Sequence, residues 1–208
     1  MKLYDYYRST ACYRVRIALN IKNIAYETIP VHLVRDGGEQ KLPAYLAINP
    51  QSLVPSLEVD GAIITQSLAI INYLEEAFPE IPILPKDLIM KATIRSLALL
   101  IACDIHPLNN LRVLNQLKQE FQADESQITL WYHHWLKAGF DAFETILTKL
   151  ERKGNFCFGT SPSLADICLI PQVYNAERFH FAMDDYPLIN AINQQCLTLE
   201  AFKKASPE

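Results

Sequence analysis

The sequence has no excess of basic charge. Its 19 Lys and Arg stand against 23 Asp and Glu, for a formal net charge of −4, and the basic residues are scattered rather than massed in one segment. An electrostatic footprint for nucleic acid needs the opposite balance, so that class of partner is excluded. Long hydrophobic runs are also missing. The longest strongly apolar stretch, Leu97 to Cys103, falls far short of the roughly 20 residues that a membrane-spanning helix requires. Met1-Lys2 leads directly into a strand-like segment, so neither a targeting signal nor membrane attachment is expected. Paired cysteines are lacking as well. Cys12, Cys103, Cys157, Cys168 and Cys196 form an odd set without a CxxC pair, three of them inside apolar helical patterns, as expected of a reduced, cytoplasmic chain. Only His133 and His134 are neighbouring histidines, and successive residues on a helix point about 100° apart, so no metal site is expected. Internal repeats and low-complexity tracts are absent.

What is present is a chain of 208 residues, half of them hydrophobic and 20% charged, which can bury a sizeable core as one large domain or two small ones. The first 85 residues differ in pattern from the rest. Lys2 to Tyr6 alternates like a strand, Ser9 to Ile21 has helical periodicity, and Tyr26 to Val31 is strand-like again, which predicts a right-handed βαβ unit. Ser56 to Val59 and Ala62 to Thr65 flank Asp60-Gly61, a two-residue hairpin signal, and Gln66 to Phe78 follows with apolar residues at Leu68, Ile71, Tyr73, Leu74 and Phe78. The order βαβ and then ββα is the thioredoxin arrangement. From about Asp87 the patterns are helical: Asp87 to Leu117, Glu125 to Leu150, Ser163 to Phe179 and Leu188 to Lys203, broken at Pro107, near Gly154 and at Pro187. The stretch "FPEIPILPKD" between the halves favours extended chain. The expected organisation is therefore an α/β thioredoxin-like domain over 1–81, a linker over 82–87 and an all-α domain over 88–208.

Three local features in the first half converge on one ligand. Ser9 and Thr10 stand where a strand gives way to a helix, so a hydroxyl there can cap the helix while its free N–H groups and dipole favour an anion, a thiolate included. Val54-Pro55 opens a strand; a cis bond there would turn the Val54 N–H and C=O outward for an extended peptide to pair with. Gln66-Ser67 marks a second strand-to-helix junction able to grip a carboxylate. Each has a plain alternative: a simple N-cap at Ser9 or Thr10, an ordinary trans proline at Pro55, a simple cap at Ser67. Glutathione, however, has the three matching parts: a thiol, a peptide backbone and a γ-glutamyl carboxylate.

The segments "RSTACYRVRIAL", "NPQSLVPSL", "QSLAIINYLEE", "DIHPLNNLRVL" and "SLADICLIPQVYNAERF" together resemble the zeta-class glutathione transferases over nearly the whole chain. The QS junction and the VP pair are common to many glutathione transferases; "RVRIAL", "IHPLNNLRVL" and "PQVYNAERF" point to the zeta class. The resemblance implies a thioredoxin-like domain, an all-helical domain, a homodimer and glutathione as cofactor. It implies that Ser9 and Thr10 support the glutathione thiolate, that Val54 pairs with the cysteinyl backbone and that Gln66 and Ser67 hold the γ-glutamyl end. Gln51, His106, Asn109 and Asn110 resemble further glutathione contacts. There is one departure: where many zeta sequences read Ser-Ser-Cys, this one reads Ser9-Thr10-Ala11, with Cys12 one place later.

The activity implied is cis-trans isomerisation of maleylacetoacetate in tyrosine and phenylalanine breakdown, with glutathione returned unchanged. Alternatives are maleylpyruvate isomerisation, general glutathione conjugation on the same site, or a non-enzymatic binding protein that keeps the scaffold. Thiolate addition turns the double bond into a rotatable single bond, and it needs cations for the substrate carboxylates and for the developing charge. Arg8 and Arg178 are the expected carboxylate ligands, with Arg112 a third candidate. Arg14 and Arg16 are read as bracing the helix or the dimer, and Cys12, almost one turn inside the helix, as a small packing residue. "SPSLAD" reads as a capping box from Ser163 to Asp166. Trp131, Tyr132, Trp135 and Phe140 read as packing.

Overall fold

A computed structural model describes residues 1–207, which divide into two compact units: 1–82 with 198–207, and 83–197. In the first unit β1 (Lys2–Asp5), α1 (Thr10–Ile21) and β2 (Glu27–Pro30) are followed by two short 3-10 turns and α2 (Pro43–Leu46). The hairpin β3 (Ser56–Val59) and β4 (Ala62–Thr65) then leads into α3 (Ser67–Ala77). The sheet order is β2-β1-β3-β4, with β1 parallel to β2 and the other pairs antiparallel. Asp60 and Gly61 both have positive φ, 49° and 83°, as a type I′ hairpin turn requires, and a glycine meets that requirement without strain. Leu3, Val15, Leu19, Leu57, Ile70, Ile71 and Leu74 are fully buried, each contributing about 1.5–3 kcal/mol of apolar burial.

Two buried cations tie this unit together. Arg16 bonds Asp5 Oδ1 at 2.6 Å, the Tyr7 carbonyl at 2.9 Å and the Ala205 carbonyl at 2.9 Å. Lys22, at the end of α1, bonds the carbonyls of Phe78 and Ile81 and pairs with Glu75 at 2.7 Å, which fastens the end of α3 and the extended stretch after it. The division at 81, 87 and 208 read from the sequence differs from the structure at the chain end. The short helix α9 (Glu200–Lys203) packs on α1, with Asn20 bonded to the Ala201 carbonyl, so 198–207 belongs with the first unit.

The second unit is helical, with no strand among the described residues. It contains α4 (Leu88–Leu99), α5 (Leu111–Glu120), α6 (Glu125–Lys149), α7 (Leu164–Arg178) and α8 (Pro187–Leu197). The pattern expected from Asp87 to Leu117 is split: α4 runs into a π-helical segment, Leu100–Ile105, and Pro107 lies in the turns before α5. The capping box at the start of α7 is present. The buried Asp166 carboxylate accepts from the Ser163 N–H and hydroxyl and from the Cys157 N–H, all within 2.8 Å. Tyr132, Leu136, Phe140 and Phe143 of α6 are fully buried, so these aromatics are core.

Candidate functional site

Helix α1 organises the candidate residues of the first unit. Ser9 is its N-cap, in extended conformation, with Oγ accepting from the Cys12 N–H at 3.3 Å. The hydroxyl keeps its own proton to donate, and no acidic residue occupies the first turn to oppose an anion. Thr10, the other expected hydroxyl, is only 3% exposed, whereas Ser9 is half-buried and Arg8 is exposed, its guanidinium over the Tyr7 ring at 5.2 Å. Cys12 is fully buried among Val31, Tyr45 and Val54, and its sulfur accepts from the Tyr6 N–H at 3.5 Å. Burial, reinforced by the nearby Asp5 charge, pushes the thiol well above its usual range, so Cys12 is a packing residue.

Val54, against which Cys12 packs, precedes a proline in cis; the plain reading of a trans bond is not what the structure has. The chain before it is pinned. Tyr45 OH and Asn49 Nδ2 both donate to the Leu53 carbonyl, at 2.7 and 2.8 Å, and the Gln51 N–H donates to Asn49 Oδ1 at 3.0 Å. No hydrogen bond among the described residues engages the Val54 N–H or C=O, although the side chain is buried. A backbone pair of this kind is what an added extended peptide would use.

The third feature lies at the start of α3. Gln66 has φ +69°, a region that costs a non-glycine residue energy and is held only where the surroundings impose it. Its amide donates to Gln51 Oε1 at 2.7 Å, which brings those two candidates together. Ser67 is buried as the first residue of α3, and its Oγ accepts from Arg14 Nη1 at 3.4 Å. Arg14, only 1% exposed, thus places a positive charge beneath a helix N-terminus that already favours anions. Its bond to Ser67 also braces α1 against α3. The sequence signal for the added charge is an arginine at a core position of an otherwise apolar helix.

In the second unit, His106 is half-buried just after the π-helical segment. Asn109 is buried, its Nδ2 donating to the Tyr132 carbonyl at 3.1 Å, and Asn110 Oδ1 caps α5 by accepting from the Arg112 N–H at 3.1 Å. These two amides therefore carry structural bonds, and Asn110 retains its Nδ2 donor. Arg112 and Arg178 are both exposed, in the first turn of α5 and the last turn of α7. Among the described residues no three His, Cys, Asp or Glu side chains group as a metal site would need, and no helix is long and apolar enough to cross a membrane.

Residues 3–82 match the glutathione S-transferase N-terminal domain, and residues 131–192 the glutathione S-transferase C-terminal domain. The chain is 48% identical over 208 residues to a maleylacetoacetate isomerase of Pseudomonas aeruginosa, covering 100% of this chain and 96% of the relative. Among solved structures it is similar to a holo maleylpyruvate isomerase described as a bacterial zeta-class glutathione S-transferase. The TM-score is 0.97 at 44% identity, with 100% of this chain and 97% of the other covered. A maleylacetoacetate isomerase of Methylobacterium extorquens AM1 with bound malonate and GSH gives a TM-score of 0.95 at 40% identity, covering 100% and 96%.

Proposed function

The chain belongs to the glutathione S-transferase family, and from that premise we propose that it is a zeta-class, glutathione-dependent isomerase converting maleylacetoacetate to its trans isomer. The observation that carries the reading is the pairing of a half-buried Ser9 hydroxyl at the mouth of α1 with a fully buried Cys12. The helix mouth is built to receive a thiolate, and the chain's own thiol is packed away from it.

Bound glutathione supplies a thiolate that adds reversibly to the cis double bond and is released unchanged once the resulting single bond has rotated. The residues present fit such a cofactor. Ser9 would donate to the sulfur, with Thr10 supporting the turn, and the unengaged N–H and C=O of Val54 would pair with the cysteinyl backbone. Gln66, Ser67 and the buried Arg14 behind them would hold the γ-glutamyl carboxylate, with Gln51 oriented by its bond to Gln66. His106, Asn109 and Asn110 are proposed as further glutathione contacts. Arg8 and Arg178, with Arg112 in third place, are proposed as carboxylate ligands, since a guanidinium binds carboxylates through two parallel bonds. They also supply positive charge against the negative charge that develops on the diketo acid. The reading includes a cytoplasmic homodimer and a role in tyrosine and phenylalanine breakdown.

Maleylpyruvate, which shares the cis-enoyl diketo core, is the second reading, favoured by the zeta-class structural neighbour above. Conversion of each acid is to be followed with and without catalytic glutathione while free thiol is titrated. Fast conversion of maleylacetoacetate with thiol conserved supports the proposal. Preference for maleylpyruvate selects the second reading, and loss of thiol to an electrophile without isomerisation replaces both with a conjugating transferase.

A further inference from the structure

Arg178 is the last residue of α7, and the turn that ends the helix is built around its neighbour Phe179. The His180 N–H bonds the Glu177 carbonyl at 3.0 Å and the Phe181 N–H bonds the Ala176 carbonyl at 2.9 Å, with His180 at φ +54°. This is the Schellman pattern of a capped helix end, and it sets the direction of the chain on leaving Arg178. The Phe179 carbonyl is taken up separately, at 2.9 Å from His133 Nε2. Because a carbonyl has no proton to give, Nε2 is the protonated nitrogen.

One residue earlier on α6, Tyr132 lies flat against the Phe179 ring, with centroids 3.8 Å apart and planes 11° from parallel. Tyr132 is fully buried, and its hydroxyl has no hydrogen-bond partner among the described residues, so its contribution is the ring face. The Arg178 guanidinium in turn lies over the Phe179 ring, 5.4 Å from its centroid, while Arg178 as a whole is exposed. Two further bonds hold this part of α6 in place: Trp131 Nε1 to the Leu108 carbonyl at 2.9 Å, and Asn109 Nδ2 to the Tyr132 carbonyl.

We propose that Phe179, backed by Tyr132 and His133, is a platform that positions the Arg178 guanidinium for the substrate carboxylate. The inference rests on the reading of Arg178 as a carboxylate ligand. An exposed arginine samples many rotamers, and freezing them on binding costs affinity. A ring face beneath the guanidinium, stacked on a second ring and belonging to a residue whose main-chain carbonyl is tied to His133, removes part of that cost before substrate arrives. Phe179, Tyr132 and His133 are thus positioning residues, and their effect passes through Arg178.

A double-mutant cycle tests this, with two readouts: steady-state constants for maleylacetoacetate and for glutathione, and calorimetric binding of malonate to the glutathione-loaded protein. Arg178→Ala is expected to raise KM for the diacid and weaken malonate by about tenfold or more. Phe179→Leu should do so by about three- to tenfold, with KM for glutathione unchanged. The double variant should be no worse than Arg178→Ala alone, and Tyr132→Phe, which keeps the ring, should behave as wild type. Multiplying effects in the double variant, or a neutral Phe179→Leu beside a damaged Arg178→Ala, overturns the platform and leaves Arg178's role standing. A neutral Arg178→Ala overturns the carboxylate reading itself and the platform with it. If Phe179→Leu fails to fold, His133→Ala enters the same cycle, with the same outcomes expected on a smaller scale.

Discussion

Arg14 Nη1 donates to Ser67 Oγ at 3.4 Å, so the buried guanidinium on α1 lies directly under the first residue of α3. One helix therefore serves all three parts of the candidate glutathione site: Ser9 caps it, Cys12 packs against Val54, and Arg14 reaches Ser67. Arg14→Met keeps an unbranched chain of similar reach in the apolar surroundings and removes the charge. The expected result is a rise of about tenfold in KM for glutathione, the scale of a lost charge-assisted hydrogen bond. The KM for the diacid should hardly move. Initial-rate kinetics with each ligand varied in turn checks this, and a loss confined to the diacid would refute the role.

Ser9 and Cys12 separate the hydroxyl from the thiol. Ser9→Ala is expected to lower kcat by about one to two orders of magnitude, as when a preorganised donor is removed from a developing or full negative charge. It should cost about 1 kcal/mol of stability through the lost cap. Cys12→Ala should leave kcat within about twofold, because a buried thiol of raised pKa is inert. It should still destabilise the fold by about 1–2 kcal/mol through the space it vacates. The two kcat values, read beside two thermal melts, decide the matter: a Cys12→Ala enzyme without activity would sink the assignment.

Much of the fold is legible in the sequence where a local rule leaves a residue signature. Asp60-Gly61 supplies the positive φ pair of a tight hairpin, and the strands on either side fall at Ser56–Val59 and Ala62–Thr65 as their alternation predicts. Ser9 and Gln66 stand at helix starts, and the Ser163–Asp166 box announces α7. What local rules cannot carry is partnership at a distance. The return of α9 to α1 rests on Arg16 reaching Ala205, some 189 positions away, and helical periodicity at 200–203 is blind to it. Arg14 meets the same limit: a brace on α1 is readable from its position in the helix, but the partner it reaches, Ser67 of α3, is supplied only by the tertiary fold. The Tyr132–Phe179 stack joins α6 to the end of α7, and neither segment announces it alone.

Asp166 makes stability depend on pH in a defined sense. Burial raises its carboxyl above the ordinary value, although the Cys157 and Ser163 donors pull the other way. A carboxyl whose folded value lies above its unfolded one favours folding below the unfolded value, and that share is lost as pH rises through the folded one. The stability advantage of wild type over Asp166→Asn should therefore be largest at low pH and shrink as pH rises through the raised carboxyl value. Chemical denaturation of both proteins across that window measures the difference directly, and an advantage that grows with pH would mean that the donors outweigh burial.

Gly139 marks where α6 meets the π-helical segment that leads to His106. A methyl group built on Gly139 would come 2.1 Å from Ile105 Cδ1 and 2.3 Å from Cγ1, so the two segments approach more closely than any side chain on α6 would permit. Gly139→Ala should therefore destabilise by about 1–3 kcal/mol, the usual scale of overpacking, seen as a fall of several degrees in Tm. The sign of the effect should depend on Ile105. In an Ile105→Ala background the obstruction is gone and the helical preference for alanine, about 0.5–1 kcal/mol, is all that remains, so the same Gly139→Ala change should become stabilising. Equal penalties in both backgrounds would show that something other than Ile105 confines this part of the helix.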